Sequence, residues 1–182
     1  MDNVFYRNLR KSYPEVDYGK GIYLFDKEGR RYIDACSGSA VANLGHGHPV
    51  VIKSLTEQAQ KVAFTHLSRW TSGPVRELAD LVARLAPGSL NKLYLVSGGS
   101  EATESALKMA RQYFLERDGK SGKYRIISRW QSFHGNTIGA LSMTGDKRRK
   151  KYAHLLLDFP HVAPAYCYRC PFGKEKENCS VE

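Results

Sequence analysis

The sequence predicts an α/β protein, because segments with helical periodicity alternate with short apolar segments that are bounded by turn residues. A predicted helix over residues 74–85 ends at Pro87, and a predicted strand follows over residues 92–96. Gly98 and Gly99 then separate this strand from the next helix. The chain has 182 residues, of which 42% are hydrophobic and 25% charged, so its composition is that of a globular protein.

The N-terminal part is predicted to contain a β-hairpin. Two short apolar segments, residues 21–25 and residues 31–34, have the composition of strands. Between them, Asp26 and Gly29 occupy favoured positions of a turn. The residues that follow are rich in glycine and serine and are predicted to be irregular.

Three predicted helices each have one apolar face. The second of them has Pro74 at its first helical position, where proline is favoured. A strand over residues 124–128 and a short helix that begins near Thr137 follow the third helix. The apolar faces are made by Ile52, Leu55, Ala59 and Val62, by Val75, Leu78, Val82 and Leu85, and by Ala102, Ala106, Ala110 and Tyr113.

Residues 97–104 are typical of a phosphate-binding helix N-terminus. Gly98 and Gly99 let the backbone turn sharply, and the free N–H groups of the new helix face any anion placed there. Ser100 is interpreted either as the N-cap of this helix or as a hydrogen-bond partner of a phosphate oxygen. The loop has neither the Walker A sequence nor a G-x-G-x-x-G dinucleotide sequence. An ordinary capped helix is the alternative interpretation.

A second loop, residues 130–137, also follows a predicted strand. In parallel sheets ligands bind beyond the C-terminal ends of the strands, so both loops are expected at one ligand site. Phe133 either stacks on a flat aromatic cofactor or fills a core, and His134 either contacts that ligand or makes a structural hydrogen bond.

The charge pattern gives weak support to a nucleic-acid partner. The formal net charge is +10, and residues 147–151 form a basic run. This run is short and has no interleaved aromatic residues, so we interpret it as a solvated surface loop and predict no nucleic-acid partner.

The cysteine pattern does not favour a metal site. Cys167 and Cys170 form a CxxC pair, and Cys179 and His161 lie nearby in the sequence. The chain lacks the fourth cysteine of a regular double CxxC zinc pattern, so we predict no metal. The apolar runs are too short to cross a bilayer and the N-terminus lacks the apolar core of a secretion signal, so we expect a cytoplasmic protein with no membrane partner.

Taken together, these segments resemble the class III, or ω-type, pyridoxal-phosphate aminotransferases. The resemblance covers essentially the whole chain in the order of the family, and it is carried by residues 21–34, 45–49, 97–104, 132–137 and 166–173. It implies a partial fold type I large domain, as in aspartate aminotransferase, together with an N-terminal segment of the small domain. By this resemblance residues 1–55 belong to that N-terminal segment, and residues 56–182 are the first part of the large domain.

The resemblance also implies a role for several residues. Gly99 and Ser100 are expected to contact the phosphate of pyridoxal phosphate, Phe133 to stack on its pyridine ring, and His134 to lie beside that ring. Arg69 and Trp70 fall in a loop that borders the substrate pocket of similar enzymes. Arg69 either binds a substrate carboxylate or is an ordinary surface residue, and Trp70 either forms a wall of the pocket or packs in the fold.

No catalytic residue is expected in this chain. In similar enzymes a lysine holds the cofactor as a Schiff base and an aspartate pairs with the pyridinium nitrogen, and the resemblance places both beyond residue 182. We therefore expect this chain to be an inactive N-terminal portion of a transaminase. The full-length enzyme is expected to be a homodimer that moves an amino group from an amino donor to a keto acid or aldehyde through pyridoxamine phosphate. The alternative is a noncatalytic truncated protein that serves as a dimerisation partner or has no function.

Overall fold

The structure is a computed structural model that describes residues 3–119 and 122–179, without the side chain of Asn178. Helices and strands are both present, and the chain divides into two compact units, Met1–Leu81 and Val82–Glu182. The strands are β1 (Val16–Lys20), β2 (Tyr23–Asp26), β3 (Arg31–Ile33), β4 (Ser128–Arg129) and β5 (His161–Val162). The helices are α1 (Ser37–Ala40), α2 (Pro49–Lys61), α3 (Gly73–Leu85), α4 (Gly99–Asp118) and α5 (Ile138–Met143), and the longest 3₁₀ segment is Lys147–Leu155.

The first unit contains the predicted hairpin. Strands β2 and β3 pair antiparallel, with Tyr23 opposite Ile33, and confirm that prediction. Strand β1 was not predicted, and it pairs antiparallel with β2 on the other side. The rings of Tyr18 and Phe25, which are opposite each other, stack with their centroids 4.5 Å apart. The predicted hairpin is therefore the centre and one edge of a three-stranded sheet.

Asp26 holds the turn of this hairpin. Its side chain is buried, and one carboxylate oxygen accepts hydrogen bonds from the backbone N–H groups of Glu28, at 3.1 Å, and Arg30, at 2.8 Å. The other oxygen accepts from Arg30 Nε at 2.7 Å and from the Tyr32 hydroxyl at 2.8 Å. Burial acts to raise the pKa of Asp26, but the hydrogen bonds from Tyr32 and Arg30 outweigh it and hold this pKa below its ordinary value.

We expect the hairpin to lose stability in acid. Because the pKa of Asp26 is lower in the folded hairpin than in the unfolded chain, its contribution is fully present above the unfolded value of 3.8 and is lost as the pH falls through the folded value. Tyrosine circular dichroism in the near ultraviolet, followed from about pH 6 to about pH 2, measures this loss. Asp26→Asn should reduce the pH dependence, and an unchanged acid transition in that variant would contradict the assignment.

The segment after the hairpin is tied to it by backbone and side-chain bonds. Gly21 and His46 exchange two backbone hydrogen bonds of 2.9 Å and 2.8 Å. Gly45 has a φ of +87°, and a Cβ there would lie 3.1 Å from the Gly21 Cα, so this close approach requires glycine. His46 Nε2 lies 3.0 Å from a carboxylate oxygen of Asp34, and this hydrogen bond lowers the pKa of Asp34.

Helix α1 is a left-handed turn. The φ angles of Ser37, Gly38, Ser39 and Ala40 are 48°, 59°, 69° and 65°. This conformation costs about 1 to 2 kcal/mol for each residue that has a Cβ. The Asp34 carboxylate accepts a hydrogen bond from the Gly38 N–H at 3.3 Å and so helps to hold the turn.

Helices α2 and α3 match the two predicted helices before residue 92. Helix α3 begins at Gly73, so Pro74 lies at its second rather than its first position. Neither helix has a buried residue, and the apolar face of α3 is open, with Leu78 45% and Leu85 77% exposed. These apolar faces therefore contribute little to a core within the part of the chain that the structure describes.

The second unit is built around α4 and α5. Helix α5 begins after Thr137, as predicted, and most of it is buried, while α4 ends at Gly119 in the left-handed conformation common at helix C-termini. The only hydrophobic residues of the described chain that are buried are Ala140, Leu141 and Met143 of α5 together with Phe159. The core of this unit therefore lies where α5 packs.

Two strand predictions in the second unit are wrong: one strand is absent, and the other is only two residues long and begins at the last predicted residue. Residues 92–96 form no strand, and only Ser128 of the predicted strand over residues 124–128 is paired. Strands β4 and β5 form a two-residue parallel pair, with Ser128 opposite His161. A strand needs a neighbour for its backbone N–H and C=O groups, and among the described residues no strand pairs with residues 92–96. In the described part of the chain, no helix is both long and apolar enough to cross a bilayer.

Candidate functional site

The N-terminus of α4 forms the first part of the candidate site. The N-cap is Gly98, with an extended backbone, and Ser100 is the second residue of the helix. The interpretation of Ser100 as the N-cap is therefore wrong, because the helix begins two residues earlier than that role requires. Gly98 has no side chain that could accept hydrogen bonds from the first turn, so the turn keeps its free N–H groups.

The space around the two glycines of this turn is open. A Cβ placed on Gly98 or Gly99 would meet no atom within 4 Å. Within residues 3–119 and 122–179, no acceptor takes the N–H groups of Gly99 or Ser100. The Glu101 carboxylate accepts a hydrogen bond from the Ser97 N–H at 2.8 Å. The donors that remain, with the positive end of the helix dipole, fit the phosphate of pyridoxal phosphate.

Ser100 connects this turn to the second loop. Its hydroxyl oxygen accepts a hydrogen bond from the Asn136 N–H at 3.0 Å. Because the oxygen already accepts from Asn136, the hydroxyl proton is directed elsewhere and can be donated to an anion. One serine therefore joins the two loops and keeps one donor for a ligand.

The backbone of His134 is fixed at both of its polar groups. Its carbonyl accepts from the Thr103 hydroxyl at 2.9 Å, and its N–H donates to the Thr144 hydroxyl oxygen at 3.0 Å. The Thr144 hydroxyl in turn donates to the carbonyl of Ala140 at 3.0 Å. His134 is half-buried and its position is set by α4 and by the end of α5.

Glu104 has a positioning role that was not predicted from the sequence. Its carboxylate accepts hydrogen bonds from the N–H groups of Gly139, at 2.8 Å, and Ala140, at 3.3 Å. It thus caps the N-terminus of α5 from a different helix. Ser100 and Glu104 are four residues apart and lie on one face of α4, and that spacing was the available signal.

We expect Glu104→Ala to destabilise the second unit by about 1 to 2 kcal/mol, because the first turn of α5 loses its cap and two buried N–H groups lose their acceptor. The urea midpoint measured by circular dichroism reports this loss. Glu104→Gln keeps one acceptor oxygen and should lose less. Equal midpoints for wild type and Glu104→Ala would show that the carboxylate is not a cap.

Phe133 is exposed rather than packed in a core. Its ring is 53% exposed, and the Arg148 guanidinium lies 4.7 Å from the ring centroid. A groove of about 530 Å³ lies beside the ring and is lined by Gln131, Ser132, Phe133, Gly145, Asp146, Lys147 and Arg148. An exposed ring beside a groove is available to stack on a flat ligand.

Gly135 allows the two loops to meet. Its φ is +139°, and a Cβ there would lie 2.5 Å from Ser100 Oγ and 2.9 Å from Ala140 Cβ. Such contacts are too close for any side chain. The hydrogen bond between Ser100 and Asn136 therefore depends on glycine at the neighbouring position.

The structure places the predicted site residues in two groups. Gly99, Ser100 and His134 lie in the second unit and are connected by the hydrogen bonds of α4 to residues 133–136. Arg69 and Trp70 belong to the first unit, where the N–H group of each donates to the His66 carbonyl at 3.0 Å. Both are exposed, and Trp70 has 68% of its surface accessible.

The cysteines are free thiols. These are Cys36, Cys167, Cys170 and Cys179. The described residues contain no group of three or more histidine, cysteine, aspartate or glutamate side chains that could hold a metal ion.

The α/β fold and the two joined loops are those expected of a protein that binds a cofactor with a phosphate and a flat ring, and comparison with known families agrees with this class. Residues 6–182 match the family described as aminotransferase class-III, and the chain belongs to this family. Class III aminotransferases depend on pyridoxal phosphate, and their fold is the fold type I transaminase fold. The resemblance stated from the sequence and the fold class that it implied are confirmed.

Particular relatives support the same assignment. The aminotransferase YodT of Bacillus subtilis is 40% identical over 170 residues, which are 93% of this chain and 38% of that protein. The adenosylmethionine-8-amino-7-oxononanoate aminotransferase of Methanocaldococcus jannaschii is 34% identical over 163 residues, which are 89% of this chain and 35% of that protein.

A solved structure is also similar over nearly the whole chain. The omega transaminase from Pseudomonas jessenii in complex with PMP has a TM-score of 0.87 and 32% sequence identity, and the match covers 97% of this chain and 40% of that one. The chain thus spans about two fifths of the length of the proteins that it resembles.

Proposed function

We propose that this chain supplies the phosphate and ring contacts of a pyridoxal-phosphate aminotransferase, which moves an amino group from an amino donor to a keto acid or aldehyde. One observation carries the proposal: the uncapped turn at Gly99 and Ser100 is tied by hydrogen bonds to the loop that presents Phe133. An anion site and an exposed aromatic ring on adjacent loops suit a ligand that has a phosphate and a flat ring.

Four residues make the proposed contacts with the cofactor. The N–H groups of Gly99 and Ser100 and the Ser100 hydroxyl bind the phosphate, Phe133 stacks on the pyridine ring, and His134 lies beside that ring. When bound, pyridoxal phosphate supplies an electron sink for reactions at the amino-bearing carbon of the substrate. The fixed backbone of His134 limits how far the ring contacts can move, since both of its polar groups are hydrogen-bonded.

We propose a substrate role for two residues of the first unit. Arg69 has the planar donors that bind a carboxylate in a bidentate manner, and Trp70 presents a large exposed apolar surface. The substrates are small molecules, an amino donor and a keto acid or aldehyde acceptor. The intact enzyme is proposed to be a cytoplasmic homodimer, with residues 1–55 in its small domain and residues 56–182 in its large domain.

The lysine that attaches the cofactor is proposed to lie outside residues 1–182. The family resemblance places it well after the Phe133 loop, and the lysines that follow the phosphate site here lie in other settings, Lys108 inside α4 and Lys147 at the start of the basic 3₁₀ segment. We therefore expect no transamination by the 182-residue chain alone. Formation of a keto acid from a panel of amino donors with pyruvate or 2-oxoglutarate would contradict this.

Competition between ligands tests the proposed function. The chain should bind pyridoxal phosphate reversibly in equilibrium dialysis, and inorganic phosphate should displace it competitively because both use the N-terminus of α4. Absence of pyridoxal phosphate binding would overturn the proposal. Binding that inorganic phosphate does not reduce would place the ligand elsewhere on the chain and would also overturn it.

A further inference from the structure

Two successive arginines of the basic segment lie over aromatic rings of the second loop. The Arg148 guanidinium is 4.7 Å from the centroid of the Phe133 ring, and that of Arg149 is 5.4 Å from the Trp130 ring. The sequence predicted a solvated surface loop for residues 147–151. Residues 147–151 are mostly exposed, and these two arginines also lie within the distance at which a cation is attracted to an aromatic face, on the loop that bears the proposed ring contact.

Arg148 is held at its backbone and at its side chain. Asp146 is the N-cap of the 3₁₀ segment and accepts a hydrogen bond from the Arg148 N–H at 2.7 Å. The other carboxylate oxygen of Asp146 lies 3.5 Å from a terminal nitrogen of the Arg148 guanidinium. The approach of Arg148 to the Phe133 ring is therefore fixed by the start of the segment.

The backbone beneath these side chains joins the same two segments. The Gln131 N–H donates to the Gly145 carbonyl at 2.9 Å, and the Gly145 N–H donates to the Ser132 carbonyl at 2.9 Å. A Cβ on Gly145 would overlap the carbonyl oxygen of Arg129, so the close approach of these two backbone segments requires glycine at position 145. Gln131 has a φ of +60°, which is rare for a residue with a side chain and which these bonds maintain.

Trp130 is fixed at the start of the loop. Its ring stacks on the His161 ring, with centroids 4.2 Å apart and an angle of 22° between the ring planes. His161 lies in β5, and its Nδ1 is 2.9 Å from the Phe159 carbonyl oxygen. The first aromatic residue of the loop thus has two partners, Arg149 and His161, whereas Phe133 is held by Arg148.

We propose that Arg148 is a positioning residue for the cofactor ring: it covers one face of Phe133 and leaves the other face free for the pyridine ring of pyridoxal phosphate. This inference rests on the proposed function. Phe133 is 53% exposed, so without Arg148 its ring would sample several rotamers and would have to be ordered when the cofactor binds. A ring that is already ordered binds more tightly, because less conformational entropy is lost.

The test compares Arg148→Met with Arg148→Lys and measures the Kd of pyridoxal phosphate and, separately, of inorganic phosphate. Arg148→Met should weaken pyridoxal phosphate binding about two- to fivefold, the range expected for an exposed contact between a cation and a ring. The Kd of inorganic phosphate should not change, because that ligand does not touch Phe133. Arg148→Lys keeps a cation and should restore most of the affinity.

Lys151→Met is the matched control, since it removes one positive charge from the same segment. Lys151 has no aromatic partner among the residues that the structure describes, and this variant should bind pyridoxal phosphate as wild type does. An unchanged or tighter Kd in Arg148→Met would overturn the inference, as would an equal loss in Lys151→Met or a parallel loss of inorganic phosphate binding. Wild-type chain that binds no pyridoxal phosphate would overturn the proposed function as well, whereas an unchanged Arg148→Met beside normal wild-type binding would overturn the inference alone.

Discussion

Replacing Gly135 with alanine is expected to destabilise the second unit by about 3 kcal/mol, the sum of backbone strain and overpacking. The φ of +139° is unfavourable for alanine, and the new Cβ would lie 2.5 Å from Ser100 Oγ and 2.9 Å from the backbone of Ser100. A shift of α4 would break its hydrogen bonds with the His134 carbonyl and the Gly139 N–H, so we expect the loop to shift instead and the bond between Asn136 and Ser100 to break. Urea unfolding followed by circular dichroism measures the change.

Gly88→Ala is the matched control for this prediction. Gly88 also has a positive φ, +59°, but a Cβ there would meet no atom within 4 Å. Gly88→Ala is expected to lower the free energy of unfolding by about 1 kcal/mol, because only the backbone is strained. If the two variants lose equal stability, the contact between Gly135 and α4 contributes nothing, and the proposed junction of the two loops is wrong.

Ser100→Ala is expected to weaken pyridoxal phosphate binding about ten- to a hundredfold. The variant removes a hydroxyl proton that is proposed to bind a doubly charged phosphate, and a hydrogen bond to a charged group contributes about 1.5 to 3 kcal/mol. It also removes the acceptor of the Asn136 N–H, so the second loop loses one of its bonds to α4. The dissociation constant from equilibrium dialysis measures the combined effect.

Ser105→Ala provides the comparison for Ser100→Ala. Ser105 lies in the same helix, one turn after Glu101, and its hydroxyl makes no hydrogen bond with the residues that the structure describes. The Ser105 variant should bind the cofactor as wild type does. Similar losses in the two variants would mean that removal of any hydroxyl from α4 lowers the affinity, and the phosphate role of Ser100 would be rejected.

Elements with local signals could be predicted from the sequence. The hairpin was predicted because Asp26 and Gly29 determine its turn, and the structure shows that the Asp26 carboxylate makes the bonds that close it. The helices were predicted because their apolar spacing and their glycine and proline boundaries are also local. Strand β1 and the pairing of β4 with β5 were missed, since each depends on a partner whose register no local pattern specifies.

The strand predicted over residues 92–96 was wrong for the same physical reason. Its residues have strand composition, but composition gives only a preference, and a ladder forms only when a neighbour accepts and donates the backbone hydrogen bonds. The apolar composition of residues 92–96 is that of a strand, but no strand pairs with this segment among the described residues.

The candidate site was predicted in part. The sequence indicated that the loops at Gly99 and Phe133 meet, because loops that leave the same end of strands lie together. The atoms that join them could not be predicted, since the bonds from Ser100 to Asn136 and from Glu104 to Gly139 connect residues 36 and 35 positions apart. The role of Arg148 was also missed, because a basic run is usually solvated and only the fold places one of its members over a ring.

Whether the N-terminus of α4 binds the cofactor phosphate is tested most directly with two ligands that differ only in that phosphate. Wild-type chain should bind pyridoxal phosphate at least about tenfold more tightly than pyridoxal, because the N-terminus of α4 recognises the phosphate. In Ser100→Ala the difference between the two dissociation constants should shrink while pyridoxal binding stays nearly constant. Equal affinities of the wild-type chain for pyridoxal and pyridoxal phosphate would show that the turn at Gly99 and Ser100 is not a phosphate site.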